Sequence, residues 1–361
     1  MTSIYLIRHA EAEGNLYRIA QGQHESNLTD RGWRQVKALE RRFADVPIDA
    51  VYASDLYRTR ATATAIYRPK NLSLHRCPGL REICVGDWEG RTWGDIARRT
   101  PEAMADFGSR MDRWSIPGAE TPAEVLARVR STVEDIARAN PGKILALFSH
   151  GYAIRLLLAN LQGISLRDTG EKCPTGDNTA VSLLEWGGER LRMVFANDNR
   201  HLKTPEYLAE EKPARAKRAY ALEPGLWFRP LETARAEERL SAAWAEAGEA
   251  GPVPAASLTL EGLLAEEPVG LLRMSPETGR ILLICIRPEF RRRGFGVQCI
   301  GQAVQHTRER GGEELSALLS SGGPGEEYLR GCGFVPETQT SEDRRLWKKS
   351  IGFDPEIGGA L

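Results

Sequence analysis

The sequence predicts an α/β protein: a three-layer, doubly wound, mostly parallel sheet, followed by a second α/β domain with a mixed sheet. Three observations predict it. Short apolar runs alternate with helical patterns through the first two hundred residues, the signature of a parallel sheet covered on both faces. The texture then turns Glu/Lys/Arg/Ala-rich from Thr204 to Ala219. A second unit opens at Trp227, and within it three strand-like segments follow one another from Ser257 to Ile286. A chain of 361 residues, at roughly 150 per domain, has room for two units.

Each element has its own warrant. Ser3 to Ile7 reads as a strand. Thr29 to Phe43 reads as a helix, with Val36, Leu39 and Phe43 on one face. Asp49 to Ala53 is a second strand, followed by a helix through Thr62 and Ile66. Glu120 to Asn140 is a long helix whose opening, Ala119-Glu120-Thr121-Pro122, has capping character. Lys143 to Phe148 is a strand and Gly151 to Leu161 a helix. Val181 to Glu185 and Arg190 to Ala196 read as edge strands joined by a Gly187-Gly188 turn. Beyond the charged connector come a strand at Trp227, an Ala/Glu-rich helix and a loop from Ala250 to Ala256. Three strands are expected next, at Ser257 to Ala265, Val269 to Met274 and Arg280 to Ile286. A helix from Val297 to Arg310 and strands near Leu315 to Leu319 and Phe334 close the chain. The predicted division is 1–203, a linker at 204–222, and 223–361.

Composition narrows the function classes. Forty-nine Lys plus Arg balance forty-nine Asp plus Glu, so bulk binding to nucleic acid or to a membrane surface is not expected. Cys77, Cys84, Cys173, Cys285, Cys299 and Cys332 form no C-x-x-C pair, which argues against a zinc framework or a secreted disulfide scaffold. Ile4-Tyr5-Leu6-Ile7 is too short an apolar core for a signal peptide, and no run approaches the roughly 18 apolar residues of a spanning helix. A cytoplasmic protein is the expectation.

Chemistry collects where strands stop. The first strand runs into Arg8-His9-Ala10-Glu11 and the later one into Ser149-His150-Gly151. In a doubly wound sheet, ligands bind outside the carboxyl ends of the strands. Both imidazoles are therefore expected at one crevice. Ser54-Asp55-Leu56-Tyr57-Arg58 brings a further arginine to that edge. Arg8 and Arg58 offer planar guanidinium forks suited to phosphate oxygens. A neutral imidazole can attack phosphorus and form a phosphohistidine. The leaving alcohol needs a proton, and Glu82 in Leu80-Arg81-Glu82-Ile83 is the candidate donor. No metal is required, because cationic side chains can neutralise the equatorial oxygens. His24, His75, His201 and His306 read as structural or solvent-facing. Trp33, Trp88, Trp93 and Trp114 read as core or rim aromatics, with Trp88 and Trp114 expected at the substrate mouth.

These residues carry a resemblance. Leu6-Ile7-Arg8-His9-Ala10-Glu11, with Asn15 and Gly22-Gln23 after it, resembles the signature of the histidine phosphatase superfamily in its phosphoglycerate mutase-like branch. Ser54 to Ala63 is similar to that family's second arginine segment, and Leu80-Arg81-Glu82 to its acid segment. Pro117-Gly118-Ala119-Glu120 resembles its substrate-side loop, and Phe148-Ser149-His150-Gly151 its second histidine. Asn178-Thr179-Ala180-Val181 and Asn197 to Leu202 are similar to the small cobalamin-pathway and broad-specificity phosphatases of that family. The resemblance covers residues 1 to 203 in the family's order. It implies a phosphoglycerate mutase-like fold and His9 as phosphate acceptor, with Glu82 and His150 as the other catalytic residues. It also implies that Arg8, Asn15, Gln21, Gly22, Gln23, Arg58 and Gly151 surround the phosphoryl group of a small phosphorylated metabolite. Glu25 stands where the family shows aspartate, a departure that bears on substrate and not on the phosphate pocket.

A second constellation follows Ile281-Leu282-Leu283-Ile284-Cys285-Ile286, where Arg291-Arg292-Arg293-Gly294-Phe295-Gly296 leads into a helix. Glycines there let backbone N–H groups approach an anion at the helix N-terminus. With Val269-Gly270-Leu271-Leu272 before it and Cys332-Gly333-Phe334 after it, the segment resembles the GNAT acetyltransferases over residues 225 to 350. The resemblance implies acetyl-CoA as cofactor, held by Arg291, Arg292, Arg293, Gly294, Phe295 and Gly296, with Ile286 beside the pantetheine arm, and an unknown amine as acceptor. Leu329 stands at that family's tyrosine position and Tyr328 one residue earlier, about 100 degrees away on a helix.

The function expected is a metal-independent phosphomonoester phosphatase fused to an acetyl-CoA-dependent N-acetyltransferase-like domain. The alternative is a phosphoglycerate-type mutase carrying a non-catalytic acyl-CoA-binding module. A homodimer is left open.

Overall fold

The computed structural model describes residues 1–211, 225–231, 257–323, 325–341 and 344–357. Thr2–Arg8 (β1) and Ile144–Ser149 (β4) pair in parallel, with Ile7 opposite Phe148 and Arg8 opposite Ser149. Both are rich in buried aliphatics, as interior strands under two helical layers must be. Ala50–Ala53 (β2) joins the far side of β4, and Leu74–Arg76 (β3) adds an outer strand. Val181–Trp186 (β5) and Leu191–Asp198 (β6) run antiparallel on the other flank. The order is β3-β2-β4-β1-β5-β6. β5 lies between β1 and β6, so of these two only β6 is an edge strand, where the sequence reading expected both. The buried Val181 and Leu184 of β5 fit its interior place.

Helices cover both faces. Glu13–Tyr17 (α1) and Asp30–Phe43 (α2, capped by Thr29) lie early in the chain, and Tyr57–Tyr67 (α3) follows β2. Two short helices, Trp93–Arg99 (α4) and Pro101–Ser109 (α5), precede Pro122–Ala139 (α6). The last opens with a Thr121/Glu124 capping box and Pro122 in its first turn. Its Val125, Val129 and Val133 repeat every four residues and are fully buried, each contributing about 1.5–3 kcal/mol. Gly151–Leu161 (α7) and Leu166–Lys172 (α8) complete this layer.

The expected charged connector at 204–222 opens as a helix. Thr204 caps Pro205–Glu210 (α9), and Tyr207 is buried against the domain. Glu211 pairs with Arg31 and Arg34 of α2. Part of the connector's charge is thus answered by arginines of the first domain. The remainder of that linker, the Ala/Glu-rich helix and the Ala250–Ala256 loop lie outside the described residues.

The second sheet contains Trp227–Pro230 (β7), Leu258–Leu264 (β8), Glu267–Ser275 (β9), Arg280–Ile286 (β10), Glu314–Ser320 (β11), Val335–Ser341 (β12) and Arg344–Ser350 (β13). Its order is β12-β13-β11-β10-β9-β8-β7. Phe295–Arg308 (α10) packs on this sheet, and Gly325–Gly331 (α11) precedes β12. The single parallel pair, β10 with β11, is joined only at Arg280↔Ser316 and Ile281↔Ala317. Beyond those rungs, toward their carboxyl ends, the two strands are not paired with each other, and that unpaired stretch is termed the wedge.

Candidate active site

The β1–β4 register places Arg8 beside Ser149, so the next residue of each strand, His9 and His150, emerges at the same sheet edge. Their ring centroids are 5.3 Å apart. His9 is buried, and its Nδ1 donates to the carbonyl of Ala10 at 2.7 Å. That bond assigns the proton to Nδ1 and leaves the Nε2 lone pair available. Burial, then the Arg58 and Arg8 charges, hold His9 well below the ordinary imidazole range. His150 is likewise held low by burial, Arg58 and His9. Its Nε2 shares a 2.9 Å hydrogen bond with Ser54 Oγ, and its buried Nδ1 has no protein partner.

A cavity of about 740 Å³ opens at this edge. Arg8, His9, Asn15, Gln21, Gly22, Arg58, Glu82 and Gly151 all line it. Arg58 is buried, its Nη1 and Nη2 donating to the carbonyls of His24 and Gly22, while Nε has no protein partner. Burial pushes this guanidinium down to about 10, which still leaves it cationic at neutral pH. Two orphaned buried nitrogens, on Arg58 and His150, beside a neutral imidazole suit an anion with several oxygens. Gly151 has a steric reason: a Cβ there would stand 3.1 Å from Arg8 Cζ and Nε. Asn15 Oδ1 accepts from Ala12 N, and Asn178 Nδ2 donates to the carbonyl of His9.

Glu82 sits at the N-terminus of α7. Its Oε2 accepts from Tyr152 N at 3.1 Å, and its Oε1 accepts from Ala153 N at 3.0 Å and Ile83 N at 3.1 Å. A carboxyl group offers about four lone-pair sites, and these three amides take three of them. Arg128 fixes the segment from behind, donating to the carbonyls of Gly79, Arg81 and Glu82 and to Glu120.

Other expected residues fall differently. His150 is not itself among the residues lining the cavity, and neither is Gln23, whose amide donates to Glu82 O and Glu120 Oε2. Gln23 supports the acid loop instead. Trp88 and Trp114 are core residues, not mouth residues. The aromatic wall is Trp93, Phe107 and Tyr152, the last two stacked at 4.7 Å. The sequence marks Trp93 only as a core or rim aromatic and Asn178 only within a family segment, and it carries no sign of Phe107, Tyr152, Arg155 or Lys203, yet all six line the cavity. Glu25 accepts from Tyr57 N at 2.7 Å, capping the helix that carries Arg58. His201 is structural, bonded to Thr179 Oγ1 and Arg42.

In the second domain, Gly294 begins α10 with φ +86° and Arg292 has φ +60°. This kinked loop opens onto free helix-terminal N–H groups. Arg291 Nε donates to the carbonyl of Ile286, and Arg293 lies over the Phe290 and Phe295 rings. Phe295 is buried in a small cluster with Leu226, Val269 and Phe290, so its side chain serves the core. Tyr328 donates its hydroxyl to the carbonyl of Gly296 at 2.7 Å, and Leu329 is buried. A loop of main-chain donors beside a strand wedge suits an elongated ligand with a phosphate group. Among the described residues, no group of three or more His, Cys, Asp or Glu is placed to hold a metal ion. No described helix is long and apolar enough to cross a membrane.

Comparison with known proteins gives two family matches. Residues 4–199 match the family model described as "Histidine phosphatase superfamily (branch 1)", and residues 217–334 match the one described as "Acetyltransferase (GNAT) family". The metal-independent phosphoserine phosphatase of Arabidopsis thaliana is 34% identical over 164 residues, 44% of this chain and 67% of that protein. A protein of Enterobacter sp. named "Probable phosphoglycerate mutase GpmB" is 30% identical over 210 residues, 57% of this chain and 97% of its own. Among solved structures, YhfR of Bacillus stearothermophilus aligns with a TM-score of 0.54 at 28% identity, over 56% of this chain and 100% of that one.

Proposed function

The chain belongs to the histidine phosphatase superfamily through residues 4–199, and from that premise we propose that it hydrolyses small phosphate monoesters through a phosphohistidine on His9. The observation that carries the reading is the neutral His9 imidazole, its Nδ1 committed to Ala10 O, beside two buried nitrogens without protein partners. His9 Nε2 attacks phosphorus as the ester P–O bond breaks, and Glu82 gives the leaving oxygen its proton. Water then attacks phosphorus as the P–N bond to His9 breaks, giving its proton to Glu82 and releasing phosphate. Arg8, Arg58, Asn15 and His150 Nδ1 hold the phosphoryl oxygens, with the guanidinium groups taking the charge role a metal plays elsewhere. Gln21, Gly22 and Gly151 shape the space around it.

The names of the two relatives point to a small phosphorylated acid as substrate. Arg155, held by the carbonyls of Thr169 and Gly170, and Lys203 supply cationic partners for its carboxylate in the cavity wall. Water is the acceptor in this reading, in line with the phosphatase relative. We divide the chain into a phosphatase domain reaching α9 and an acetyltransferase-like domain from β7 onward. A reducing, cytoplasmic setting fits six cysteines that form no disulfide with one another.

For the second domain, acetyl-CoA is the proposed cofactor, with an amine as acceptor. The backbone of Arg291 to Gly296 would hold its pyrophosphate, and the wedge between β10 and β11 would hold its arm beside Ile286. Bound there, it supplies a thioester activated for transfer. Tyr328 is not the proton donor, since its hydroxyl already serves Gly296 O. Assays of the full chain on phosphoserine, phosphoglycerate and sugar phosphates, with and without a chelator, test the first activity. Phosphate release that survives chelation supports it, and no release from any ester overturns it.

A further inference from the structure

We propose that the acetyltransferase-like half is a working part of the phosphate pocket, with Arg308 of α10 as a positioning residue for the Asn15 segment. The inference rests on the phosphatase reading above. Helix α1 faces two ways. Asn15 lines the phosphate cavity, while its neighbours belong to the second domain. Tyr17 is buried in that domain's core with Cys299, Ile300 and Trp347. Gly301 permits the approach, since a Cβ there would fall 2.5 Å from Tyr17 Cβ. The buried Glu13 carboxylate accepts from Arg308 at 2.7 and 3.2 Å and also from Asn27 N at 3.0 Å. Arg308 is itself fixed by the carbonyl of Ile351 and lies over the Phe353 ring at 4.9 Å.

The segment after β13 braces the second phosphate ligand in the same way. The carbonyls of Ile351 and Gly352 accept from Asn27 Nδ2. The Phe353 ring lies 4.9 Å from that of Tyr57, and Asp354 N donates to the Tyr57 hydroxyl at 3.3 Å. Ile357 is buried in the first domain's core, and Arg60 donates to its carbonyl. Tyr57 and Arg60 flank Arg58. The histidines are held within the first domain, at the ends of β1 and β4 and by Asn178 and Ser54, but the two elements that carry Asn15 and Arg58 lean on the other half of the chain. An amide or guanidinium displaced by a fraction of an ångström weakens its grip on phosphate while the nucleophile stays in place.

Full-length Arg308→Met, Arg308→Lys and Phe353→Ala variants test this, with KM and kcat for p-nitrophenyl phosphate, competition by vanadate and the melting temperature as readouts. Arg308→Met is expected to raise KM and the vanadate constant by on the order of tenfold, with kcat within about twofold. Arg308→Lys recovers most of that loss, and Phe353→Ala shifts both constants in the same direction. Unchanged KM and vanadate affinity in Arg308→Met would overturn the inference, as would a fall in kcat and melting temperature with KM intact. If Arg308→Met does not fold, Phe353→Ala decides, and wild-type constants there overturn it. A wild-type chain that neither turns over the ester nor binds vanadate removes the phosphatase reading, and this inference with it.

Discussion

The imidazoles of His9 and His150 face one another with centroids 5.3 Å apart and planes inclined at 56°. Adjacent parallel strands deliver them, and Arg8 and Arg58 lie beside them. Two protonated rings there would add like charges to an already cationic, buried pocket, so both are neutral in the resting protein. Neutrality at His9 is what nucleophilic attack requires, and burial enforces it together with the two arginines proposed to bind the phosphoryl group.

The first consequence concerns pH. Because His9 is depressed by burial and by the arginines, kcat/KM should show no acidic limb with an apparent pKa near 6.5 on an ester that does not itself titrate there. Stability carries a matching sign. The unfolded chain protonates these histidines near 6.5, and the folded chain does not. The unfolded state therefore binds more protons as pH falls through 6.5, so stability drops on acidification and levels off above it. His201, held down to about 4 by burial, adds in the same direction. Calorimetric melting from pH 5 to 8 checks this, and a melting temperature that rises on acidification would contradict it.

Glu82 meets the cavity with backbone amides on both oxygens. Glu82→Gln keeps the shape and removes the transferable proton. Turnover of alkyl phosphates should fall by roughly 10²–10⁴, and that of p-nitrophenyl phosphate far less, because its leaving group needs no proton. Equal losses on both esters, measured side by side, would remove Glu82 from the acid role.

Gly294 opens α10 at φ +86°, a conformation that costs an L-residue about 1–2 kcal/mol. Gly294→Ala should weaken acetyl-CoA binding about tenfold by calorimetry and leave phosphatase KM unchanged. Wild-type affinity in that variant would show that the loop does not hold the cofactor.

Much of the site was legible because chemistry sits where periodic strands end. Arg8-His9 and Ser149-His150 close runs of buried aliphatics, and the strand register does the rest. Other parts depend on tertiary choices with no local mark. Trp88 and Trp93 lie five residues apart, and only the packing of α4 and α5 sends one to the core and the other to the cavity. β13 reads Arg-Arg-Leu-Trp-Lys-Lys-Ser, with Trp347 fully buried among charges, and pairing with β11 makes it a strand. β3 is three half-exposed or exposed residues held by β2. The docking of Ile357 under α3 has no signal at all, since a lone isoleucine near the end of a polar stretch looks like any other. Glu25 looked like a departure in substrate recognition, yet it caps the helix of Arg58.

Rapid-quench labelling with a phosphoryl-labelled substrate tests the central claim most directly. An acid-labile, base-stable phosphoenzyme should form within one turnover, map to the peptide containing His9, and vanish in His9→Ala while acetyl-CoA binding persists. Label on any other residue, or full turnover by His9→Ala, would contradict it.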